Sequence, residues 1–217
     1  NVTLPFKQKV IPYLDILIND AKSTNSVNTI FMSKEGKLTG DNTDVYGMQA
    51  AYLKDITLNS NRSTKAIVIG AGGVAPSIIF ALKKTDIKKV FIANRTREKA
   101  IFMKKKFPFI DILNLNEVPQ RISEFDIIIN ATSLGLKNGE QFNVNLDGLT
   151  DKSIFIDTIY NPLETKIIKH LKGKNIKTFN GLDMLIYQGQ KSFYIWNKIN
   201  PEIDDELIQL LENRIKC

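Results

Sequence analysis

Three small residues at fixed spacing, Gly70, Gly72 and Ala75, follow the apolar run Ala66-Ile67-Val68-Ile69. The pattern is that of a turn between a buried strand and a helix. Gly70 allows the tight turn, and Gly72 lets the backbone come close to an anion. Ala75 lets the helix lie near the strand, so that N–H groups at its start face a pyrophosphate. Pro76 suits the first helical turn, where a missing N–H costs nothing. Alone, such a turn is weak evidence, because glycines join strands to helices for structural reasons too. The next strand, Lys89-Val90-Phe91-Ile92-Ala93, sharpens it. It runs into Asn94-Arg95-Thr96-Arg97, where an NAD site would place an Asp or Glu for the ribose 2′-hydroxyl. Two arginines and no acid stand there. A guanidinium is a permanent cation and a bidentate donor, which suits a 2′-phosphate, so the cofactor expected is NADP rather than NAD. The competing reading makes Arg95 and Arg97 solvated residues opening a helix; the strand and turn ahead of them favour the binding role.

These residues need a scaffold, and the chain is long enough to supply it. Its 217 residues, 43% of them hydrophobic, allow one large domain or two small ones with a real core. The one cysteine, Cys217, excludes an internal disulfide framework and a cysteine zinc cluster, and points to a reducing, cytoplasmic setting. No apolar run approaches the roughly 18 residues that span a bilayer, and no charged-then-apolar leader opens the chain, so no membrane partner is expected. The formal charge is +7, with lysines grouped at Lys83-Lys84, Lys88-Lys89 and Lys104-Lys105-Lys106. They fall at helix ends and faces without interleaved aromatics, which reads as solvated surface rather than a nucleic-acid site. Such a field also draws an anionic cofactor and substrate.

From its start, the chain runs Asn1-Val2-Thr3-Leu4-Pro5-Phe6-Lys7, without an opening methionine, and reads as cut. The apolar residues Val10, Ile11, Leu14, Ile16, Leu17 and Ile18 suggest a short helix after Lys9. Two β-type runs flanking Gly36 read as a hairpin, whose ends deliver Asn28 on one arm and Asn42, Thr43 and Asp44 on the other. Asp44 is also well placed to cap a helix from Tyr46 to Lys54. A polar linker, Thr57 to Ser63, precedes the glycine-turn strand. Further on, Phe125 to Ile129 and Ile154 to Asp157 read as buried strands of a wound sheet. Only their carboxyl ends are candidates for ligand contact. Two helices close the chain, Met184 to Trp196 and Glu202 to Ile215. His170, at the polar end of a helix from Glu164 to Lys172, has no acidic or cysteine partner at ligand spacing and reads as a surface residue, so no metal is suggested.

Together, Asn1 to Lys7, Val27-Asn28-Thr29, Asn42-Thr43-Asp44, Gly70-Ala71-Gly72-Gly73 and Asn94-Arg95-Thr96 resemble, in order and rough spacing, the shikimate dehydrogenase family. Asn130-Ala131-Thr132-Ser133, Asp157 to Pro162 with Thr165, and Gly181 to Leu185 with Gln188 continue the likeness over nearly the whole chain. The resemblance implies reversible, NADP-dependent reduction of 3-dehydroshikimate to shikimate, in chorismate and aromatic amino acid biosynthesis. It implies an α/β fold: a Rossmann-type doubly wound parallel sheet for NADP over residues 44–180, and an incomplete α/β substrate-binding domain from 1–43 and 181–217. Lys7 and Asp44 become the catalytic pair, and Thr3, Asn28, Gln188 and Tyr160 bind substrate. Gly70, Ala71, Gly72, Gly73, Val74, Ala75, Asn94, Arg95, Thr96, Thr132, Ile159, Gly181 and Met184 face the cofactor, with Ile159 and Tyr160 near the nicotinamide. The chemistry fits such a pair. Hydride arriving at a ketone leaves charge on oxygen, which a lysine ammonium stabilises and protonates.

Val45 stands where the family commonly has glycine, and Asn25-Ser26 where Gly-Ala often precede Val-Asn-Thr. The family also has an opening strand-helix region with a Ser-x-Ser pair for the substrate carboxylate, and no such segment is present in this sequence. The expectation is therefore an N-terminally truncated chain that binds NADP weakly to moderately and turns over poorly. The alternatives are a dehydrogenase acting on quinate or an amino-acid analogue, and a non-catalytic protein binding NADP or nucleic acid. A homodimer stays open.

Overall fold

The computed structural model describes residues 1–54, 56, 64–85, 87, 89–136, 140 and 142–216. The expected polar linker falls on 57–63, outside them. In chain order the first elements are β1 (Ile16–Leu17), α1 (Asn19–Thr24), β2 (Thr29–Met32), β3 (Leu38–Asp41), α2 (Asp44–Met48), β4 (Lys65–Ile69) and α3 (Ala75–Lys83). They are followed by β5 (Lys89–Ala93), α4 (Arg97–Lys106), β6 (Asp111–Ile112), α5 (Val118–Arg121), β7 (Ile127–Asn130) and β8 (Ile154–Asp157). The last are α6 (Lys166–Lys172), β9 (Lys177–Phe179), α7 (Leu182–Asn197) and α8 (Asp205–Lys216). The chain forms two compact units. Unit 1 comprises Asn1–Leu58, Gly73–Thr85 and Asp183–Glu202; unit 2 comprises Asn59–Gly72, Asp86–Leu182 and Ile203–Cys217. The division by packing thus differs from one at residues 44 and 181.

In unit 1 the helix expected after Lys9 does not form. Pro12 lies inside that run, and a proline in a helix interior removes a donor and clashes with the preceding turn. The chain instead makes a 3₁₀ turn, Ile11–Tyr13, with Pro12 near its start, and then the short strand β1. Here Asp15 donates its N–H to the Leu38 carbonyl at 2.9 Å and Ile18 donates to Gly40 at 3.0 Å. β1 runs parallel to β3, and β2 pairs antiparallel with β3 in the expected hairpin, Thr29 opposite Asp41 and Met32 opposite Leu38. α2 continues as a π-helical turn, Gln49–Leu53, which buries Tyr52 and Leu53. α3 packs on α1 and α2.

In unit 2 six parallel strands are ordered β6-β5-β4-β7-β8-β9. The chain works outward from β4 through β5 to β6, then restarts beside β4 at β7 and works outward the other way. That reversal is the signature of a doubly wound sheet. The apolar runs behave as buried parallel strands should: Ile127, Ile128, Ile129 and Asn130 of β7 are all buried, as are Ala66 to Ile69 of β4. One core joins Ile67 and Ile69 to Phe125, Phe155, Ile168 and Leu171. Phe125 meets Phe91 edge-on, with ring centroids 5.2 Å apart. β4, β5, β7 and β8 therefore deliver their carboxyl ends to one edge of the sheet.

Candidate functional site

The first cluster lies beyond the carboxyl end of β4. Gly70 has φ of +113°, and a Cβ on it would stand 2.8 Å from the backbone of Ala131. No other residue type fits that turn. Gly72 differs. Its added Cβ would meet only the Ala131 carbonyl oxygen, at an ordinary 3.7 Å, and the residue is exposed. Its lack of a side chain is not required by packing, which fits a backbone left bare for an anion to approach. The Ala71 N–H is held by the Asn94 side-chain oxygen at 3.0 Å, while the Asn94 amide donates to the Thr96 carbonyl at 2.8 Å. Asn94 thereby ties the turn after β4 to the end of β5. Arg95 is exposed beside it, and Arg97 bonds to Asn114. A bare glycine backbone with an exposed guanidinium at the next strand end suits a phosphorylated dinucleotide.

A second cluster lies in the same unit, at the ends of β7 and β8. Asn130 and Asp157 are fully buried and face each other in register. Asp157 accepts from the Asn130 amide at 2.9 Å, the Thr165 hydroxyl at 2.8 Å and the Ile159 N–H at 3.2 Å. Burial pushes its carboxyl above the ordinary carboxylate value, against the pull of those three donors. Thr132 donates both its N–H and its hydroxyl to the Asn130 oxygen. Gly181 donates to the Ile159 carbonyl at 2.8 Å, and a Cβ on it would collide with the Thr158 carbonyl.

In unit 1, Lys7 and Asp44, 37 residues apart in sequence, meet at 2.6 Å between Nζ and Oδ2. Their side chains are 13% and 6% exposed, so each depends on the other for compensation of its charge. The Lys7 backbone is fixed by the Val27 N–H, which donates to its carbonyl at 2.8 Å. Asp44 does not cap a helix. Thr43 holds the cap position without a side-chain bond, and the Asp44 carboxylate is free to take Lys7 on one oxygen and the Asn28 amide, at 3.0 Å, on the other. Asn28 also donates to Thr43 and to Gln188 Oε1, and accepts from the Thr43 N–H. A hydroxyl ring of Thr29, Thr43 and Ser192 closes behind it.

The structure therefore gathers Lys7, Asp44, Asn28 and Gln188 in unit 1, and Gly70, Ala71, Asn94, Thr132, Ile159 and Gly181 at one edge of the unit 2 sheet. Thr3 is exposed and contributes its carbonyl to Phe6, and Tyr160 is 40% exposed. Met184 is buried and donates its N–H to the Tyr52 hydroxyl. Sequence reasoning named Asn42 in its motif but gave it no role at the site; its oxygen accepts from the Asp44 N–H at 3.0 Å while its amide bonds Thr24, Ser26 and Ser77. Its position two residues before an acid was the available signal. His170 bonds Asp147, 23 residues away in sequence, at 3.0 Å, and Asp147 also pairs with Lys174. Both ends of the histidine pair are about half exposed. No group of three metal-ligating side chains occurs among the described residues, and no helix there is long and apolar enough to cross a membrane.

Residues 1–30 match the shikimate dehydrogenase substrate binding domain, and residues 53–157 match the shikimate / quinate 5-dehydrogenase family. A shikimate dehydrogenase (NADP(+)) of Pelagibacter ubique is 46% identical over 98% of this chain and 77% of its own. The crystal structure of the Aquifex aeolicus shikimate dehydrogenase superposes with a TM-score of 0.81 at 36% identity, over all of this chain and 76% of that one. The Thermus thermophilus enzyme, solved with NADP(H) and shikimate, gives 0.83 at 28% identity, over 99% of this chain and 78% of that one. This chain belongs to the shikimate dehydrogenase family.

Proposed function

We propose that this protein is an NADP-dependent shikimate dehydrogenase, which reduces 3-dehydroshikimate to shikimate reversibly on the route to chorismate and the aromatic amino acids. The observation that carries the reading is the nearly buried Lys7–Asp44 pair at 2.6 Å, seated among the amides of Asn28 and Gln188. NADPH, when bound, supplies the hydride. The Lys7 ammonium stabilises the charge that develops on the substrate oxygen and hands it a proton. Asp44 holds that ammonium in place and shares in proton exchange. Asn28, Gln188, Thr3 and Tyr160 orient the substrate's hydroxyls and carboxylate; none of the four need ionise, which suits positioning rather than proton transfer.

In this reading the residues around the Lys7–Asp44 pair bind substrate, and the glycine turn and the ends of β5, β7 and β8 bind cofactor. Gly70, Ala71, Gly72 and the residues leading into α3, Gly73, Val74 and Ala75, take the pyrophosphate. Asn94, Arg95 and Thr96 take the adenosine ribose with its 2′-phosphate, and Thr132, Ile159, Gly181 and Met184 take the nicotinamide end. The test is a comparison of shikimate and quinate as hydride donors to NADP⁺, each over a full concentration range. A kcat/KM for shikimate well above that for quinate supports the assignment. Equal values would make the protein a quinate/shikimate dehydrogenase of broader specificity.

A further inference from the structure

The Asp157 carboxylate is a buried charge that the proposed chemistry does not use. It sits at the carboxyl end of β8, fully buried, with three donors on its two oxygens: Asn130 and Ile159 on Oδ1, Thr165 on Oδ2. An ionised carboxylate accepts at both oxygens and donates nothing, which suits three convergent donors. Burying it is costly, and stability alone is served as well by apolar residues of similar size.

What the charge holds is a set of loops. Through Asn130 it fixes Thr132, whose N–H and hydroxyl bond the Asn130 oxygen at 3.0 and 2.7 Å; the Thr132 hydroxyl in turn accepts from the Leu134 N–H at 3.1 Å. The Asn130 carbonyl receives both the N–H and the hydroxyl of Thr158, at 3.1 and 2.9 Å. Ile159, held by the carboxylate itself, accepts from the Gly181 N–H. Thr165 starts α6, where its hydroxyl accepts from the Ile168 N–H. Residues 131–134, 159 and 181 are thus linked to one side chain through Asn130 and Ile159, and Thr158 joins them on the Asn130 backbone.

These segments lie where the second half of a dinucleotide falls. In a doubly wound sheet the ligand straddles the strand ends at the reversal of strand order, here between β4 and β7. The exposed Arg95 marks the β5 side for the phosphorylated adenosine half. The other half then lies beyond β7 and β8. We infer that Asp157 is a positioning residue for the nicotinamide half-site, acting through Asn130, Thr132 and Ile159 without touching the cofactor. This rests on the reading of unit 2 as the NADP site.

Calorimetric titration of the purified protein separates the possibilities, because the stoichiometry counts competent molecules while Kd reports the site. The probes are NADP⁺ and 2′,5′-ADP, which carries only the adenosine half. Asp157→Ala, which leaves three donors unanswered, is expected to weaken NADP⁺ by about tenfold at a stoichiometry near one, with 2′,5′-ADP affinity within about twofold of the parent. Asp157→Asn keeps Oδ1 for Asn130 and Ile159, and is expected to recover NADP⁺ affinity to within about threefold. If Asp157→Ala cannot be purified folded, Thr165→Val removes the Oδ2 donor together with the cap on the Ile168 N–H, and a selective loss of NADP⁺ affinity is again expected. Equal loss of both probes, a lower stoichiometry at unchanged Kd, or unchanged affinity for both would overturn the inference. A parent protein that binds neither probe would instead refute the NADP site itself.

Discussion

Replacing Lys7 with Ala removes the ammonium paired with Asp44 and leaves a carboxylate 6% exposed with the Asn28 amide still donating to it. Two costs follow and can be separated. For the chemistry, loss of a positioned proton donor slows turnover by about 10²–10⁴-fold, which is about 3–5 kcal/mol on the barrier. For the fold, breaking a buried pair costs about 3–5 kcal/mol when the remaining charge has no other partner. The surviving Asn28 bond and the 13% exposure on the lysine side place this case at or below the lower end of that range. A domain stable by about 5–15 kcal/mol tolerates the loss. The assay is the initial rate of shikimate oxidation per folded molecule, with NADP⁺ affinity measured separately by calorimetry. kcat should fall by the stated factor while Kd for NADP⁺ stays within about twofold. Lys7→Arg sharpens the test, since it keeps the cation beside Asp44 but cannot release a proton, and should remain impaired. A loss of less than about tenfold in kcat, or a loss expressed mainly as NADP⁺ affinity, would refute the roles given to Lys7 and Asp44.

Gly72→Ala should leave stability within about 0.5 kcal/mol, because the added Cβ meets only one atom at 3.7 Å, yet weaken NADP⁺ by at least about tenfold; unchanged affinity would take the pyrophosphate away from this turn. Arg95→Ala should weaken NADP⁺ by about 10–100-fold and leave NAD⁺ unaltered, read by calorimetry with both. Parallel losses would show that the guanidinium does not serve the 2′-phosphate. Lys106, half-buried on α4, has its ammonium pushed down to about 8 by desolvation. Between that value and the ordinary 10.5 the unfolded chain binds more protons than the folded one, so this contribution to stability rises with pH. Partial exposure reduces its size to about 1 kcal/mol. Denaturant midpoints from pH 8 to 10.5 should therefore climb relative to Lys106→Gln, and coincident curves would contradict the burial.

The unit 2 sheet was legible because buried parallel strands announce themselves as short apolar runs between turns. The strand from Lys89 to Ala93 and that from Ile154 to Asp157 coincide with β5 and β8. The opening of unit 1 was not, since Ile16 and Leu17 become a strand only through β3, a partner more than twenty residues later. The π-helical turn at Gln49–Leu53 leaves no mark in a periodicity that any helix shares. Among site residues, glycine spacing and the missing acid after β5 could be read directly. The meeting of Lys7 with Asp44 could not, because a lysine after an extended segment and an aspartate before a helix each have an ordinary explanation. Only their pairing across 37 residues gives them chemistry, and there the family likeness preceded the geometry. Asn42 and Asp157 were visible as motif members, but their burial and bonding depend on strands brought together by the fold.

The most direct test of the whole account is the shikimate-dependent appearance of NADPH, followed by absorbance, with the purified protein and NADP⁺. The account predicts a rate that saturates with shikimate, is much slower with NAD⁺, and disappears into the background with Lys7→Ala. NADP⁺ binding without any shikimate-dependent reduction would contradict it, and would leave unit 2 as a cofactor-binding sheet in a protein without dehydrogenase chemistry.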